Sequence, residues 1–216
     1  MKVDQARIAL QTAVLYGILD TGYSSPSRWP ELGEKLIDGG VQILQIRAKN
    51  SGPAEIIKWS LALRPILASR SVPLIINDHP ELVSACQADG CHIGQDDMSV
   101  NEAKNRAGID CLIGKSSHSV SQALSASSEK PDYLGFGPLF PTPTKPTYQA
   151  IGLNVIREVD PLLRLPYFCI GGIKLENLSQ VLAAGAKRVV LVSGLLTAED
   201  PQAYARSVRQ ELLRFC

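Results

Sequence analysis

Residues 135–145 read GFGPLFPTPTK, and how they are read decides the fold. Tyr133, Leu134 and Phe136, with Gly135 and Gly137 between and after them, begin the segment as a short apolar strand. The chain then leaves the strand through Pro138, Pro141, Pro143 and Pro146. Prolines preset φ and donate no backbone hydrogen bond, so neither a helix nor a central strand continues here. The hydroxyls of Thr142 and Thr144 and the ammonium of Lys145 are thereby confined to a narrow range of positions. Fixed donors and one cation at the end of a strand suit a phosphate or a carboxylate.

The same unit, an apolar run that ends in glycine or polar residues, recurs along the chain. Such runs are Ala13 to Leu19 before Asp20, Val41 to Ile46 before Arg47 and Lys49, and Leu74 to Ile76 before Asn77 and Asp78. They continue with Cys91 to Ile93 before Gly94, Cys111 to Ile113 before Gly114-Lys115-Ser116, and Tyr133 to Phe136. The last two are Tyr167 to Ile170 before Gly171-Gly172 and Val189 to Val192 before Ser193-Gly194.

Between them lie segments with helical spacing. Asp4 to Thr12 reads as a leading helix. Trp29, Leu32, Leu36 and Ile37 share one face closed by Gly39-Gly40. Ile56, Ile57, Leu63 and Leu67 mark a helix with a kink expected near Pro65. Glu81 to Gln87, Ser119 to Ser127 and Asn154 to Leu163, the last broken by Pro161, are read as helices, as is the stretch bearing Leu175, Leu178, Val181 and Leu182. The final helix opens with Asp200 as cap and Pro201 in its first turn. Ala88-Asp89-Gly90, Pro131-Asp132-Tyr133 and Gly185-Ala186-Lys187 form a faint repeat that leads into strands.

Eight strands alternating with helices in 216 residues predict an α/β chain, one (β/α)8 TIM barrel over residues 1–216 with a short N-terminal helix. An open doubly wound sheet fits less well, because no GxGxxG follows the first strand. The net charge of +1 carries no basic excess of the kind nucleic-acid binding needs. No apolar run reaches the ~18–20 residues of a membrane span. The first twenty residues carry acids and an Arg within their apolar part and are not read as a signal peptide. The five cysteines form no CxxC pair and sit mostly in apolar runs, which points to reduced, buried thiols and a cytoplasmic protein.

In a barrel the C-terminal ends of all strands meet on one rim. Two subsites are expected there. Gly171-Gly172 and Val192-Ser193-Gly194 follow the last two strands, where bare backbone N–H groups approach a phosphate. Arg47, Lys49 and Lys145 join the carboxylates of Asp78 and Asp97 in the second. Cations and acids on one rim make sense if the acids hold Mg²⁺, which is typically bound by one or two carboxylates plus substrate phosphates. The blander alternative is that Asp78 and Asp97 cap turns and that Arg47 and Lys49 are solvated. His92 reads as a satisfied core histidine, and His118 as a residue at a helix start.

QIRAK (45–49), IIND (75–78), DGCHIGQDD (89–97), IGKSSHS (113–119), DYLGFGPLFPTPTK (132–145), IGGI (170–173) and VVLVSG (189–194) together resemble the thiamine phosphate synthase (thiamine-phosphate pyrophosphorylase) family. The resemblance implies a transferase that joins 4-amino-2-methyl-5-hydroxymethylpyrimidine diphosphate to a thiazole phosphate, carboxylated or not, releasing pyrophosphate. It implies that Gln45, Arg47, Lys49 and Asn77 contact the pyrimidine diphosphate and that Ser116 and Lys145 contact the diphosphate. Asp78 and Asp97 would bind Mg²⁺, and Thr142, Thr144, Gly171, Gly172, Val192 and Ser193 would hold the thiazole phosphate. Arg47, Lys49, Ser116 and Lys145 would stabilise the leaving group.

Three positions depart from the family pattern. Ala48 replaces an acid, Leu19 replaces a Thr, and Lys115 replaces a small apolar residue, placing an extra charge beside the diphosphate site or in solvent. A thiazole tautomerase of the same barrel type, with His118 as its acid–base group, and a non-catalytic sensor of thiamine intermediates are the alternative readings. A homo-oligomer is left open, and no nucleic-acid or membrane partner is expected.

Overall fold

The computed structural model describes residues 3–142 and 149–215. Thr144 and Lys145 therefore lie outside the described residues. The strands are β1 (Leu15–Asp20), β2 (Ile43–Arg47), β3 (Leu74–Asn77), β4 (Gly90–Ile93), β5 (Leu112–Ser117), β6 (Tyr133–Phe136), β7 (Tyr167–Cys169) and β8 (Val189–Leu191). They close into a parallel barrel in sequence order, with β8 returning to β1.

The helices are α1 (Val3–Thr12), α2 (Trp29–Asp38), α3 (Pro53–Ser69), α4 (Val100–Ala107), α5 (Val120–Ser128), α6 (Asn154–Val159), α7 (Leu175–Ala183), α8 (Ser193–Leu196) and α9 (Pro201–Arg214). The α9 cap is as expected: the Asp200 carboxylate accepts from the Ala203 N–H at 3.0 Å.

Several expected boundaries need correction. β5 runs on to Ser117, so Lys115 and Ser116 are strand residues rather than loop residues. The helix expected over Glu81 to Gln87 is a single 3-10 turn, Pro80–Leu82, followed by further turns. α3 continues through Pro65, and α6 stops at Val159, ahead of Pro161. The short α8 directly after β8 carries no four-residue apolar period and falls outside the expected helices.

Strand residues alternate between the barrel interior and the layer beneath the helices, where Cys91, Ile93 and Ile113 of β4 and β5 form a cluster of their own. Tyr16, Ile18, Ile43, Ile75, Leu112, Tyr133, Phe168 and Val190 fill the barrel interior. Leu15, Leu19, Leu44, Ile46, Leu74, Ile76, Leu134, Phe136, Val189 and Leu191 pack outward against the helices. Both faces are dry, so the strands show no apolar–polar alternation in sequence. Ala6, Leu10 and Ala13 of the N-terminal segment pack into the interior cluster. Arg188 fastens this plug: its guanidinium donates to the carbonyls of Leu10 (2.9 Å) and Gln11 (2.7 Å) and lies over the Phe168 ring. With that end sealed, the C-terminal rim is left to hold the chemistry.

The faint repeat has a physical role. The Asp89 carboxylate accepts from the Leu74 N–H at 2.9 Å, and that of Asp132 from the Ile113 N–H at 2.8 Å. Each aspartate thus pins the start of the preceding strand. Asp89 also takes a buried ion pair from Arg64 at 2.7 Å.

Candidate active site

Gln45, Arg47, Asn77, Ser116, Thr142, Gly171, Gly172, Val192 and Ser193 line one cleft at the C-terminal rim. They come from the ends of β2, β3 and β5 and from the connections after β6, β7 and β8. Gln45, Arg47, Asn77 and Ser116 share the inward parity of their strands, which aims them into the barrel mouth.

The glycine pair after β7 forms part of the cleft lining. Gly171 and Gly172 have φ of 99° and 66°, a left-handed conformation that a residue without Cβ adopts freely. A Cβ on Gly171 would stand 2.3 Å from Pro138 Cβ, so the proline-rich loop lies directly against this turn. The Phe140 N–H donates to the Gly171 carbonyl at 3.0 Å, and the Leu139 N–H to that of Ile170 at 2.9 Å. Thr142 is thereby carried to the cleft on a loop hydrogen-bonded to the β7 end.

Across the mouth sits the charged edge. Arg47 donates to Asp20, which is buried at the end of β1 and also accepts from the Gly22 N–H at 2.8 Å. The Lys49 ammonium lies 3.5 Å from the Asp78 carboxylate. Asp78 has a positive φ of 67°, a costly backbone state outside glycine that clusters at functional sites. Its N–H donates to the His92 carbonyl at 2.9 Å, extending the β3–β4 ladder. The Asp97 carboxylate accepts from the Gly94 N–H at 2.6 Å, curling its loop over the end of β4. Burial first, and then the carboxylates of Asp78, Glu81 and Asp97, push the Cys91 thiol far above its ordinary range. Asp78 and Asp97 belong to the connections that follow β3 and β4, which are neighbouring strands of the barrel. Lys49, Asp78 and Asp97 stand beside the cleft rather than within its lining.

Lys115 corrects an expectation. It points neither to a diphosphate nor to solvent. Its parity turns it outward, where its 5 %-exposed side chain donates to Glu129 at 2.7 Å and to the Met98 carbonyl at 3.2 Å. Leu19 and Ala48 are also packed in the outer core. All three departures from the family pattern thus fall on the side of the chain away from the cleft.

Sequence reading missed the tyrosines. Tyr16 and Tyr133 line the cleft from below, each 1 % exposed, and burial foremost raises both phenol pKa values. His92 is satisfied, as expected, but it too faces the cleft, bonded to Tyr133 and Ser116. His118 stands at the start of α5, as expected, its N–H donating to Gln122 Oε1 at 2.8 Å, and it also lines the cleft, with Nδ1 2.5 Å from the Gly137 carbonyl. A carbonyl only accepts, so that nitrogen carries the proton. The signal for Tyr133 and His92 was available: each stands two residues before a polar or glycine position of the same strand face.

The closed ring of eight strands, its plugged lower end and its polar rim define a (β/α)8-barrel enzyme. Comparison with known proteins narrows this. A model of the family described as thiamine monophosphate synthase matches residues 15–195. The chain is 39 % identical over 196 residues to the thiamine-phosphate synthase of Chloroflexus aurantiacus, covering 90 % of each chain. It is 40 % identical over 180 residues to that of Thermus thermophilus, covering 83 % of this chain and 86 % of the other. It superposes on the thiamine phosphate pyrophosphorylase of Pyrococcus furiosus with a TM-score of 0.86 at 28 % identity, over 97 % of this chain and 98 % of the other. The chain belongs to the thiamine monophosphate synthase family, and its activity is that of a thiamine phosphate synthase, a transferase of thiamine biosynthesis.

Proposed function

We propose that the reaction condenses 4-amino-2-methyl-5-hydroxymethylpyrimidine diphosphate with a thiazole phosphate to give thiamine phosphate and pyrophosphate. The carrying observation is the single cleft that gathers Gln45, Arg47, Asn77 and Ser116 on one side and Thr142, Gly171, Gly172, Val192 and Ser193 on the other. The first set would hold the pyrimidine diphosphate and the second the thiazole phosphate. Lys49 beside the cleft, with Thr144 and Lys145 from the proline-rich loop, would complete the grip on the anions.

In the step itself the bond between the pyrimidine methylene carbon and the diphosphate oxygen breaks, and its electron pair leaves with pyrophosphate. The methylene carbon then bonds to the thiazole nitrogen, whose lone pair needs no base. The aminopyrimidine ring stabilises the developing cation, so the protein's task is to stabilise charge on the leaving group and to exclude water. Arg47, Lys49, Ser116 and Lys145 would do this. Asp78 and Asp97 are suited to hold Mg²⁺ through their carboxylates, and the ion would neutralise diphosphate charge as a Lewis acid.

Among the described residues no helix is long and apolar enough to cross a membrane, and we place the reaction in the cytoplasm, consistent with free, largely buried thiols.

The test is direct. Protein, Mg²⁺ and both substrates are mixed, and thiamine phosphate and pyrophosphate are measured. Equal amounts of both, abolished by a chelator, are expected. Metal-independent isomerisation of the thiazole would favour the tautomerase reading, and tight binding without turnover would favour a sensor.

A further inference from the structure

Beneath the cleft a row of hydrogen bonds crosses the barrel interior. Gln45 Nε2 donates to the Tyr16 hydroxyl at 2.7 Å. The Tyr16 and Tyr133 hydroxyls are 3.0 Å apart. The Tyr133 hydroxyl lies 3.2 Å from His92 Nδ1, and His92 Nε2 lies 3.0 Å from Ser116 Oγ. The row thus joins side chains of β2, β1, β6, β4 and β5. Gly114 makes room for it: a Cβ there would stand 2.1 Å from Tyr133 Cζ, so only a glycine lets that ring lie across β5.

Donor counting gives the row a direction. An amide nitrogen only donates, so Tyr16 accepts from Gln45. The Tyr16 proton then has one acceptor among the described residues, the Tyr133 oxygen. The Tyr133 hydroxyl donates in turn to His92 Nδ1, which must be the bare nitrogen of the ring. Nε2 then carries the proton and donates it to Ser116 Oγ. The opposite order leaves the Tyr16 proton buried without an acceptor, which buried polar groups avoid. Both phenols stay protonated, because burial pushes their ionisation up.

We propose that His92 is a positioning residue: as its Nε2–H tautomer it occupies one lone pair of Ser116 Oγ and turns the Ser116 proton into the cleft, ready to donate to an anionic oxygen of the substrate. Reversed, the Ser116 hydroxyl would donate to a bare Nε2 and present the anion with a lone pair. The inference rests on the reading of Ser116 as a diphosphate contact.

Two measurements test it on the full chain. Nitrogen NMR of ¹⁵N-histidine-labelled protein, with His92 assigned by its loss in His92→Gln, reads the tautomer directly. A bare Nδ1 and a protonated Nε2 are expected, and a protonated Nδ1 overturns the proposed direction. Steady-state kinetics reads the consequence. His92→Leu should lower kcat about 10- to 100-fold, the usual scale for losing a residue that orients a ligating group. His92→Gln, which keeps an N–H within reach of Ser116, should recover most of the loss. In a Ser116→Ala background His92→Leu should cost nothing further. Full additivity of the two losses, or a Gln variant as poor as Leu, overturns the proposal. A Ser116→Ala enzyme with unchanged kcat and KM overturns the diphosphate reading and the kinetic role together, while the NMR result still decides the direction of the row.

Discussion

Asp20 and Arg47 face each other across the β1–β2 register and form an ion pair at 2.5 Å, their side chains 3 % and 13 % exposed. The aspartate takes one edge of the guanidinium and leaves the rest of its fork to the cleft, so Arg47 is pre-oriented before any anion arrives. Removing one partner of such a pair leaves the other poorly solvated. Asp20→Asn keeps the shape and the Gly22 bond, and should destabilise the fold by about 1–3 kcal/mol. It should also raise KM for the pyrimidine diphosphate about tenfold, because the unpaired guanidinium loses its fixed orientation. Thermal unfolding and initial-rate kinetics check the two effects separately, and a change in Tm alone would show that the pair is only structural.

The turn at Gly171 does not tolerate a side chain. Gly171→Ala brings a left-handed penalty of about 1–2 kcal/mol. Its new Cβ also displaces the loop at Pro138, which carries Thr142. We expect a higher KM for the thiazole phosphate, a smaller change in KM for the pyrimidine diphosphate, and a lower Tm. Equal changes in both KM values would show that the two subsites are not separate.

Lys115→Met should leave kcat and KM unchanged, since the ammonium points to Glu129 and away from the cleft. Its effect is on stability against acid. Burial opposes ionisation of Glu129, but bonds from Lys115 and the Val100 N–H outweigh it and hold the carboxyl below its usual pKa. A carboxyl with a depressed folded pKa stabilises the fold above its unfolded value of about 4.3 and loses that contribution as pH falls through the lower folded value. Denaturant titrations from pH 6 downwards should show a shallower acid loss in Lys115→Met than in the parent.

At the alkaline end the phenols reverse the sign. Burial foremost raises the pKa values of Tyr16, Tyr133 and Tyr167, with lesser effects from their neighbours. A raised folded pKa means that their contribution is complete below the unfolded value of about 10 and is lost as pH rises beyond it. Spectrophotometric titration of the native protein should therefore leave these three tyrosines un-ionised near pH 10, with their absorbance change arriving together at alkaline unfolding. Smooth ionisation of every tyrosine near pH 10 in the folded protein would contradict the burial described.

Asp97→Asn retains an acceptor for the Gly94 N–H and so should fold normally. Losing one of two carboxylates should raise the half-saturating Mg²⁺ concentration at least about tenfold, charge count being the main lever on hard-cation affinity. Asp78→Asn should behave alike, with an added loss from the Lys49 pair. Turnover that saturates at unchanged Mg²⁺ in both variants would remove these residues from the metal site.

Much of the rim was legible because its signals are local. Asn77-Asp78, Gly171-Gly172 and Ser193 follow apolar runs, and glycine and proline punctuate those runs whatever the rest of the chain does. The same logic failed at Ser116. Gly114 and Lys115 read as a strand end, but β5 continues through them because Lys115 finds Glu129 beneath the helix layer, a partner fourteen residues away in sequence. It also failed at Glu81 to Gln87, where apolar and polar residues are too few to distinguish a helix from successive turns.

The amino-acid sequence by itself determined the count and order of the strands, the capped final helix, and the placing of acids, cations and glycines at strand ends. Each of these depends on residues within a turn or two of one another. Only the tertiary structure decided which face each strand residue presents. Strands buried on both sides carry no alternating pattern, so nothing local separates Tyr133, inside the barrel, from Leu134, outside it. The pairing of Asp20 with Arg47, the outward turn of Lys115 and the row from Gln45 to Ser116 all follow from that choice, because closing the ring brings together side chains that the chain itself keeps far apart.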